Sequence, residues 1–323
     1  MFNMSITNTP NINNTSQEGL SKDSPNNMVL INGTTFIDKN IIYLNLTNNY
    51  LVSRSVTCIK EIIQLTQLTR LDLSLNRLKE LPCVICNLIQ LTILDLSCNQ
   101  LTVLPDEIRQ LTLLTELDLS NNQLTVLSDG ISQLTQLTVL DLSCNQLAVL
   151  PDGISQLTRL TRLDLSCNQL TILPDEISRL TLLTELDLCG NKLSVLPDWI
   201  SQLTQLTELS LRRNRFTVLP NGICQLITLT KLDLSSNYLI VLPDEICKLT
   251  QLTELHLSNN RLIKLPVGMG QLTQLIKLDS YNNPYLKISS NIDDCKTFDN
   301  IFYSQDMEEI LLKGDASESD DND

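Results

Sequence analysis

A 23-residue segment that recurs along the chain constrains the fold more than any other feature of the sequence. Residues Leu160–Leu182 read LTRLDLSCNQLTILPDEISRLTL, and similar copies begin at Leu137 and at Leu183. Self-similarity at a fixed period of this length is typical of repeat architectures, in which each repeat buries its apolar sides against its neighbours. Ten repeats keep the register without a slip, beginning at Leu68, Leu91, Leu114, Leu137, Leu160, Leu183, Leu206, Leu229, Leu252 and Leu275, and a first repeat begins at Ile41. The sequence therefore predicts one solenoid rather than several globular domains.

Each repeat contains the pattern of a short, half-buried strand. In the copy from Leu160, Leu163 and Leu165 alternate with Arg162, Asp164 and Ser166, and this period of two buries one face. Stacking the copies places these strands side by side in a parallel sheet. An asparagine recurs after each predicted strand, as Asn76, Asn99, Asn122, Asn145, Asn168, Asn191, Asn214, Asn237, Asn260 and Asn283. An amide inside an apolar pattern needs hydrogen-bond partners, and we expect turn backbone groups of its own and the adjacent repeat to supply them.

The second half of the repeat predicts a compact turn on the opposite side. Pro174 closes the extended run, and Asp175 stands at an expected N-cap position ahead of Ile177 and Leu180. This spacing favours one or two helical or 3-10 turns. Because the strand side packs more tightly than the helical side, we expect the stack to curve. The predicted fold class is α/β, a curved solenoid with short parallel strands on its concave face and short helical or 3-10 turns on its convex face.

The parts of the chain before and after the repeats are predicted to form separate segments. Residues 1–26 are rich in Asn, Ser and Thr and predict a disordered lead. Residues 27–40 contain Asn32-Gly33 between apolar runs, which predicts a hairpin that caps the first repeat. Residues 41–288 form the array of about eleven repeats, residues 289–313 a C-terminal cap, and residues 314–323 an acidic disordered tail.

Charge and composition narrow the classes of partner. The net charge of −14 and an aromatic content of 4% argue against nucleic acid, whose binding proteins carry a basic face, and against acidic membrane surfaces. The first residues lack the basic and apolar regions of a secretory signal, and no apolar run approaches the ~20 residues of a membrane span. The ten cysteines are not spaced as a secreted disulfide framework. We therefore expect a monomer that binds protein, without nucleic acid or membrane insertion, in the cytoplasm.

A line of aspartates is predicted on the exposed face of the sheet. The position between the two strand leucines is Asp in eight repeats, namely Asp72, Asp95, Asp118, Asp141, Asp164, Asp187, Asp233 and Asp279. One interpretation is a partner with a basic face. The other is a recently duplicated repeat in which Asp was kept for solubility.

The repeat from Leu206 departs from this pattern. Its segment ELSLRRNRF places Ser210 where the others have Asp, and three arginines where the others have small or amide residues. Arginine flanked by tyrosine is the usual composition of an interface hot spot, whereas the alternative is that these arginines neutralise the Asp line. The partner-binding candidates are Arg212, Arg213, Arg215, Tyr238, His256, Glu208, Lys231, Tyr281, Asp164, Asp187 and Asp233.

No catalytic, cofactor or metal site is predicted. His256 lies near Ser258 and between Asp233 and Asp279 of adjacent strands, but an open sheet offers no oxyanion hole and no water-excluding pocket. The Cys83–Cys86 pair lacks the second pair that a structural zinc site needs. Cys144 and Cys167 are expected to be neighbours, with a thiol replacing a hydroxyl of similar size as the favoured interpretation over a metal or redox site.

The pattern L-x-x-L-x-L-x-x-N-x-L, continued by LPDEI-x-x-L-x-x-L, resembles the leucine-rich repeat family over Ile41 to Ile288. It is similar to the 23-residue intracellular subtype of Ras-binding scaffold proteins and plant Ras-group repeat proteins. The resemblance implies a non-enzymatic protein–protein interaction module that reads its partner with the non-leucine strand positions. It also implies a scaffold or regulator in small-GTPase-type signalling. The alternative is an effector that acts on host proteins inside a foreign cell, located in the host-cell interior.

Overall fold

The computed structural model describes residues 5–6, 28–31, 35–49 and 61–287, with side chains described in 37–49 and 61–287. The predicted C-terminal cap and acidic tail lie outside the described residues, as do residues 32–34 and most of the predicted lead. The chain divides into two compact parts, an N-terminal unit Met1–Leu183 and a C-terminal unit Thr184–Asp323.

Each repeat contributes one short parallel strand, as predicted. In the N-terminal unit these strands are β4 (Tyr43–Asn45), β5 (Arg70–Asp72), β6 (Ile93–Asp95), β7 (Glu116–Asp118), β8 (Val139–Asp141) and β9 (Arg162–Asp164). In the C-terminal unit they are β10 (Glu185–Asp187), β11 (Glu208–Ser210), β12 (Lys231–Asp233), β13 (Glu254–His256) and β14 (Lys277–Asp279). Within each unit, successive strands pair at equivalent repeat positions, as Leu94 does with Leu117. There the register places every exposed strand residue beside its counterpart in the next repeat.

The first strands of the chain are antiparallel. Strand β1 (Ser5–Ile6) lies within the predicted lead and pairs with β4, whose Leu44 is opposite Ile6. Strands β2 (Met28–Ile31) and β3 (Thr35–Asp38) pair with each other, with Ile31 opposite Thr35. That this hairpin caps the array remains a prediction.

The side opposite the strands is built from five-residue 3-10 turns. The N-terminal unit contains Cys83–Asn87, Asp106–Gln110, Asp129–Gln133, Asp152–Gln156 and Asp175–Arg179, and the C-terminal unit contains Asp198–Gln202, Asn221–Gln225, Asp244–Lys248 and Val267–Gln271. The predicted N-cap is wrong by one residue, because Pro174 is the N-cap and Asp175 is the first residue of its turn. The proline side chain cannot accept a capping hydrogen bond, but its fixed φ favours the extended backbone that leads into the turn. Ser128 takes this place in one repeat, and its side chain accepts a hydrogen bond from the Gly130 amide at 3.2 Å.

The leucine and isoleucine positions form the core. In the repeat from Leu160, the side chains of Leu163, Leu165, Leu170 and Ile177 are completely buried. Each such burial stabilises the fold by roughly 1.5–3 kcal/mol. Because the same positions are buried in adjacent repeats, the apolar residues stack into continuous columns within each unit.

The recurrent asparagine joins neighbouring repeats, which confirms the sequence prediction. The side-chain amide of Asn145 donates to the carbonyl oxygens of Leu142 and Ser143 in its own repeat, at 3.1 and 3.2 Å. It also donates to the Leu119 carbonyl of the preceding repeat at 2.9 Å, and its oxygen accepts from the Leu124 amide at 3.0 Å. One buried side chain thus satisfies four backbone groups.

A threonine ladder, which the sequence analysis missed, adds a second link. The Thr115 hydroxyl donates to the Thr92 carbonyl at 3.0 Å, and the Thr92 hydroxyl donates to the Thr69 carbonyl at 3.1 Å. The same bond recurs at Thr138, Thr161, Thr207, Thr230 and Thr253. In the last described repeat, Ile276 takes this place and is 71% exposed.

The strand aspartates have a structural role that solubility alone does not explain. The Asp118 carboxylate accepts a hydrogen bond from the Ser120 amide at 2.8 Å, and this bond bends the chain out of the strand. Other strand carboxylates accept the same bond from the backbone amide two residues later, at Asp72, Asp95, Asp141, Asp164, Asp187, Asp233 and Asp279. Burial raises the pKa of Asp118, and the adjacent carboxylates of Asp141 and Asp95 raise it further.

We predict that Asn145→Ala destabilises the fold by about 3 kcal/mol, because the substitution leaves several buried backbone groups without a partner. Urea unfolding followed by circular dichroism measures the change. Gln146→Ala is the matched control, since Gln146 is the next residue and is exposed. Equal unfolding curves for the two variants would contradict the structural role of the asparagine.

We predict that Asp118→Asn stabilises the protein by about 0.5 kcal/mol at neutral pH, because an amide oxygen keeps the Ser120 bond, avoids the cost of burying a charge and removes repulsion from the adjacent carboxylates. Since the folded state raises the Asp118 pKa, ionisation opposes folding above that pKa. The gain should therefore vanish below the ordinary pKa of an aspartate. Asp72→Asn is the control and should gain less, because Asp72 has a carboxylate beside it only at Asp95 and accepts a hydrogen bond from Asn45 at 3.1 Å on its other side. A gain in Asp118→Asn that persists at low pH would refute this explanation.

Candidate interaction surface

Two columns of polar side chains line the exposed strand face of the C-terminal unit. The central strand position carries Asp187, Ser210, Asp233, His256 and Asp279 in consecutive strands. The column two residues earlier carries Glu185, Glu208, Lys231, Glu254 and Lys277. Because strands lie ≈ 4.8 Å apart, neighbouring members of a column are within reach of one another.

The charges of the second column largely compensate each other. The Lys231 ammonium lies 3.9 Å from a carboxylate oxygen of Glu208, with both side chains about half exposed, so the pair contributes little stability. A hydrogen bond from His256 lowers the pKa of Glu254, and the nearby Lys231 and Lys277 lower it further. Glu208 and Lys231, two of the predicted partner contacts, therefore already have each other as partners.

His256 is not the freely exposed residue that the sequence suggested. Its side chain is only 14% exposed, and its Nε2 atom lies 3.1 Å from a carboxylate oxygen of Glu254. The predicted neighbours Asp233 and Asp279 are opposite it in the adjacent strands. Glu254, two residues earlier, points to the same face, and its carboxylate makes this contact with the ring. The two-residue spacing of Glu254 and His256 predicts that they lie on the same face of the strand, but it does not predict this contact.

The three arginines of the repeat from Leu206 are exposed. Arg212, Arg213 and Arg215 all point to solvent, and among the described residues none of their guanidinium groups forms an ion pair with a carboxylate. Among the described residues, the arginines therefore form no direct ion pair with the Asp line, and neutralisation of its charge at longer range stays the alternative interpretation. Arg213 has φ of 52°, in the left-handed region that costs a long side chain about 1 kcal/mol. Gly190 takes the same position in the preceding repeat and Asn259 takes it two repeats later.

A fourth arginine, which the sequence analysis overlooked, belongs to the same surface. Arg215, Tyr238 and Arg261 stand at one position in three consecutive repeats, each exposed. The Arg261 guanidinium lies over the Tyr238 ring, 4.8 Å from its centroid, and this cation–π contact holds both side chains at the surface. The 23-residue spacing from Tyr238 was the signal in the sequence that identifies Arg261. We call Arg212, Arg213, Arg215, Arg261 and Tyr238 the arginine patch.

The remaining predicted contacts are not part of this patch. Tyr281 stands at the position of Arg212 three repeats later, roughly 14 Å away at the usual strand spacing. Asp187 and Asp233 each bond the backbone amide of their own turn, at 2.8 and 2.9 Å. Asp164 forms the same bond at 2.9 Å in the N-terminal unit.

The N-terminal unit carries an exposed apolar column that the sequence analysis did not identify. Val103, Val126, Val149 and Ile172 stand at one position in consecutive repeats and are 46–64% exposed. They precede a buried leucine and a proline or serine, so their sequence pattern resembles that of core residues. We call these four residues the valine column.

Within the described residues, no helix has the length and apolar character needed to cross a membrane. In the same part of the chain, histidine, cysteine and carboxylate side chains do not gather into groups of three or more that suit a metal ion.

Comparison with known proteins agrees with this architecture. A family model described as "Leucine rich repeat" matches residues 66–124, 89–147, 135–193 and 158–216, and one described as "Leucine-rich repeat region" matches residues 200–296. A search of the curated proteins finds no match.

Several solved structures are similar. A leucine-rich repeat protein of Leptospira interrogans is 38% identical, with a TM-score of 0.69 over 75% of this chain and 67% of its own. YopM from Yersinia enterocolitica is 32% identical, with a TM-score of 0.55 over 69% of this chain and 44% of its own. TLR13, in a structure of its complex with the RNA ssRNA13, is 30% identical, with a TM-score of 0.64 over 75% of this chain and 37% of its own. The chain thus spans less than half the length of the last two.

The matched models span most of the array, and the similar structures share the repeat. Leucine-rich repeat proteins are typically non-enzymatic modules that bind other proteins. The parallel strands, 3-10 turns and bonded asparagines described above are the elements of such a repeat. The chain belongs to the leucine-rich repeat family.

Proposed function

We propose that the protein binds a protein partner through the exposed strand face of its C-terminal unit, with the arginine patch as the main contact. The observation that carries this proposal is a set of four exposed arginines beside a tyrosine, in a chain whose net charge is −14. Arginine and tyrosine dominate interface hot spots because they combine large contact area with directed hydrogen bonds. The partner surface that fits this patch is acidic.

For the cellular role, we propose a scaffold or regulator in small-GTPase-type signalling, acting as a monomer in the cytoplasm. The 23-residue repeat that resembles Ras-binding scaffold proteins supports this role. A protein partner is favoured over nucleic acid by the net charge, although the TLR13 structure contains RNA.

The alternative is an effector that acts on host proteins inside a foreign cell. Its support is the similarity to repeat proteins from two bacteria, Leptospira interrogans and Yersinia enterocolitica. The identity of the captured partner distinguishes the two roles, since the first requires a GTPase or its regulator from the same organism.

We predict that the double variant Arg212→Glu with Arg213→Glu lowers recovery of the specific partner at least about tenfold in affinity capture with quantitative mass spectrometry, because reversed charge repels an acidic surface. The circular dichroism melt should be unchanged, since both side chains are exposed.

Two controls make this experiment specific. A triple variant, Arg212→Ser, Arg213→Asn and Arg215→Gln, carries residues that other repeats have at these positions, so it removes the charge without added strain. It should also lose the partner. Val126→Asp with Val149→Asp alters the valine column and should retain it. If both arginine variants still captured the partner and the valine variant did not, the binding surface would lie in the N-terminal unit instead.

A further inference from the structure

Cys144 and Cys167 occupy the same turn position in consecutive repeats of the N-terminal unit, each directly before the buried asparagine. Both are free and exposed. Both have φ of 53°, so their backbones have the same conformation and their side chains leave the chain in the same direction. The repeat geometry therefore sets the two thiols side by side.

The backbone between them is closely paired. The Cys144 amide donates to the carbonyl oxygen of Ser166, the residue before Cys167, at 2.8 Å. Neighbouring strands lie ≈ 4.8 Å apart, which falls within the Cα separation of about 4.4–6.8 Å that disulfides span. Burial raises the pKa of the Cys144 thiol, and the nearby Cys167 thiol raises it further. The two thiols are thus neighbours before any bond forms between them.

Cys98 and Cys86 of this unit lack this arrangement. Cys98 stands at the same turn position with φ of 54°, but its neighbours at that position are Leu75 and Asn121. Cys86 is buried in a 3-10 turn, and burial raises its pKa to about 12, so it stays protonated and unreactive. Cys98 therefore supplies an internal control for a thiol in the same turn without a partner.

We propose that Cys144 and Cys167 form a modification site that closes to a disulfide by exchange with a low-molecular-weight disulfide. In the first step, the thiolate of one cysteine attacks the small disulfide, forms a mixed disulfide and releases one small thiolate. In the second step, the thiolate of the other cysteine attacks the protein sulfur of that mixed disulfide and releases the second small thiolate. The two cysteines lose two protons and two electrons in total, and the small disulfide is reduced to two thiols.

Closure of this bond ties two consecutive repeats together across a backbone that is already paired. Because each repeat contacts chiefly its neighbours, a cross-link of adjacent repeats opposes their local separation. The oxidised protein should therefore melt at a higher temperature than the reduced protein.

The test incubates the full-length protein with oxidised glutathione, blocks the remaining thiols with N-ethylmaleimide, and maps the cysteines by peptide mass spectrometry. Wild-type protein should yield a Cys144–Cys167 cross-linked peptide and little glutathione on either residue. Cys144→Ser and Cys167→Ser should each retain a stable glutathione adduct on the remaining cysteine, because the second step has no nucleophile. Serine is compatible with this turn, since Ser236 has φ of 57° at the same position.

Cys98→Ser is the matched control and should leave the cross-link unchanged. A reductant should remove the cross-link and reverse the rise in melting temperature. Stable glutathione adducts on both Cys144 and Cys167 of the wild-type protein, or labelling of both by N-ethylmaleimide to the same extent as Cys98, would overturn the proposal.

Discussion

A buried asparagine in each repeat forms hydrogen bonds with the neighbouring repeat of its unit, and the positions of the exposed side chains depend on the backbone frame that these bonds fix. The amide of Asn145 bonds three carbonyl groups in two repeats, and its oxygen accepts a fourth backbone group. These bonds complete the turn after each strand, where the backbone takes a left-handed conformation. Since the turn is fixed from repeat to repeat, residues that follow the strand recur at constant spacing. Both the arginine patch and the cysteine pair are consequences of that spacing.

Much of this frame could be predicted from the sequence, because a fixed period carries long-range information that local propensity lacks. The strand positions, the buried leucines and the asparagine bonds follow directly from the repeat. The N-cap was misplaced because Pro174 and Asp175 are adjacent and composition does not decide which one precedes the turn. The threonine ladder was missed because a threonine beside a strand is equally compatible with a solvent-exposed hydroxyl.

The surface was less predictable, because it depends on contacts between side chains of different repeats. The sequence identified Arg212 and Tyr238, but it did not show that His256 contacts Glu254, and Arg261 was overlooked although it stacks on Tyr238. The two interpretations of the Asp line, a basic partner or solubility, did not include the hydrogen bonds that its carboxylates accept from the turns. A residue that departs from the repeat pattern therefore indicates function best when its side chain has no partner among the described residues.

The most direct test of the binding surface is hydrogen–deuterium exchange of the protein with and without its captured partner. If the arginine patch is the contact, peptides that contain Arg212, Arg213 and Arg215, and those that contain Tyr238 and Arg261, should exchange more slowly in the complex. The 3-10 turns Asn221–Gln225 and Asp244–Lys248 should be unaffected. Protection confined to those turns or to the valine column, with none at the patch, would contradict the account.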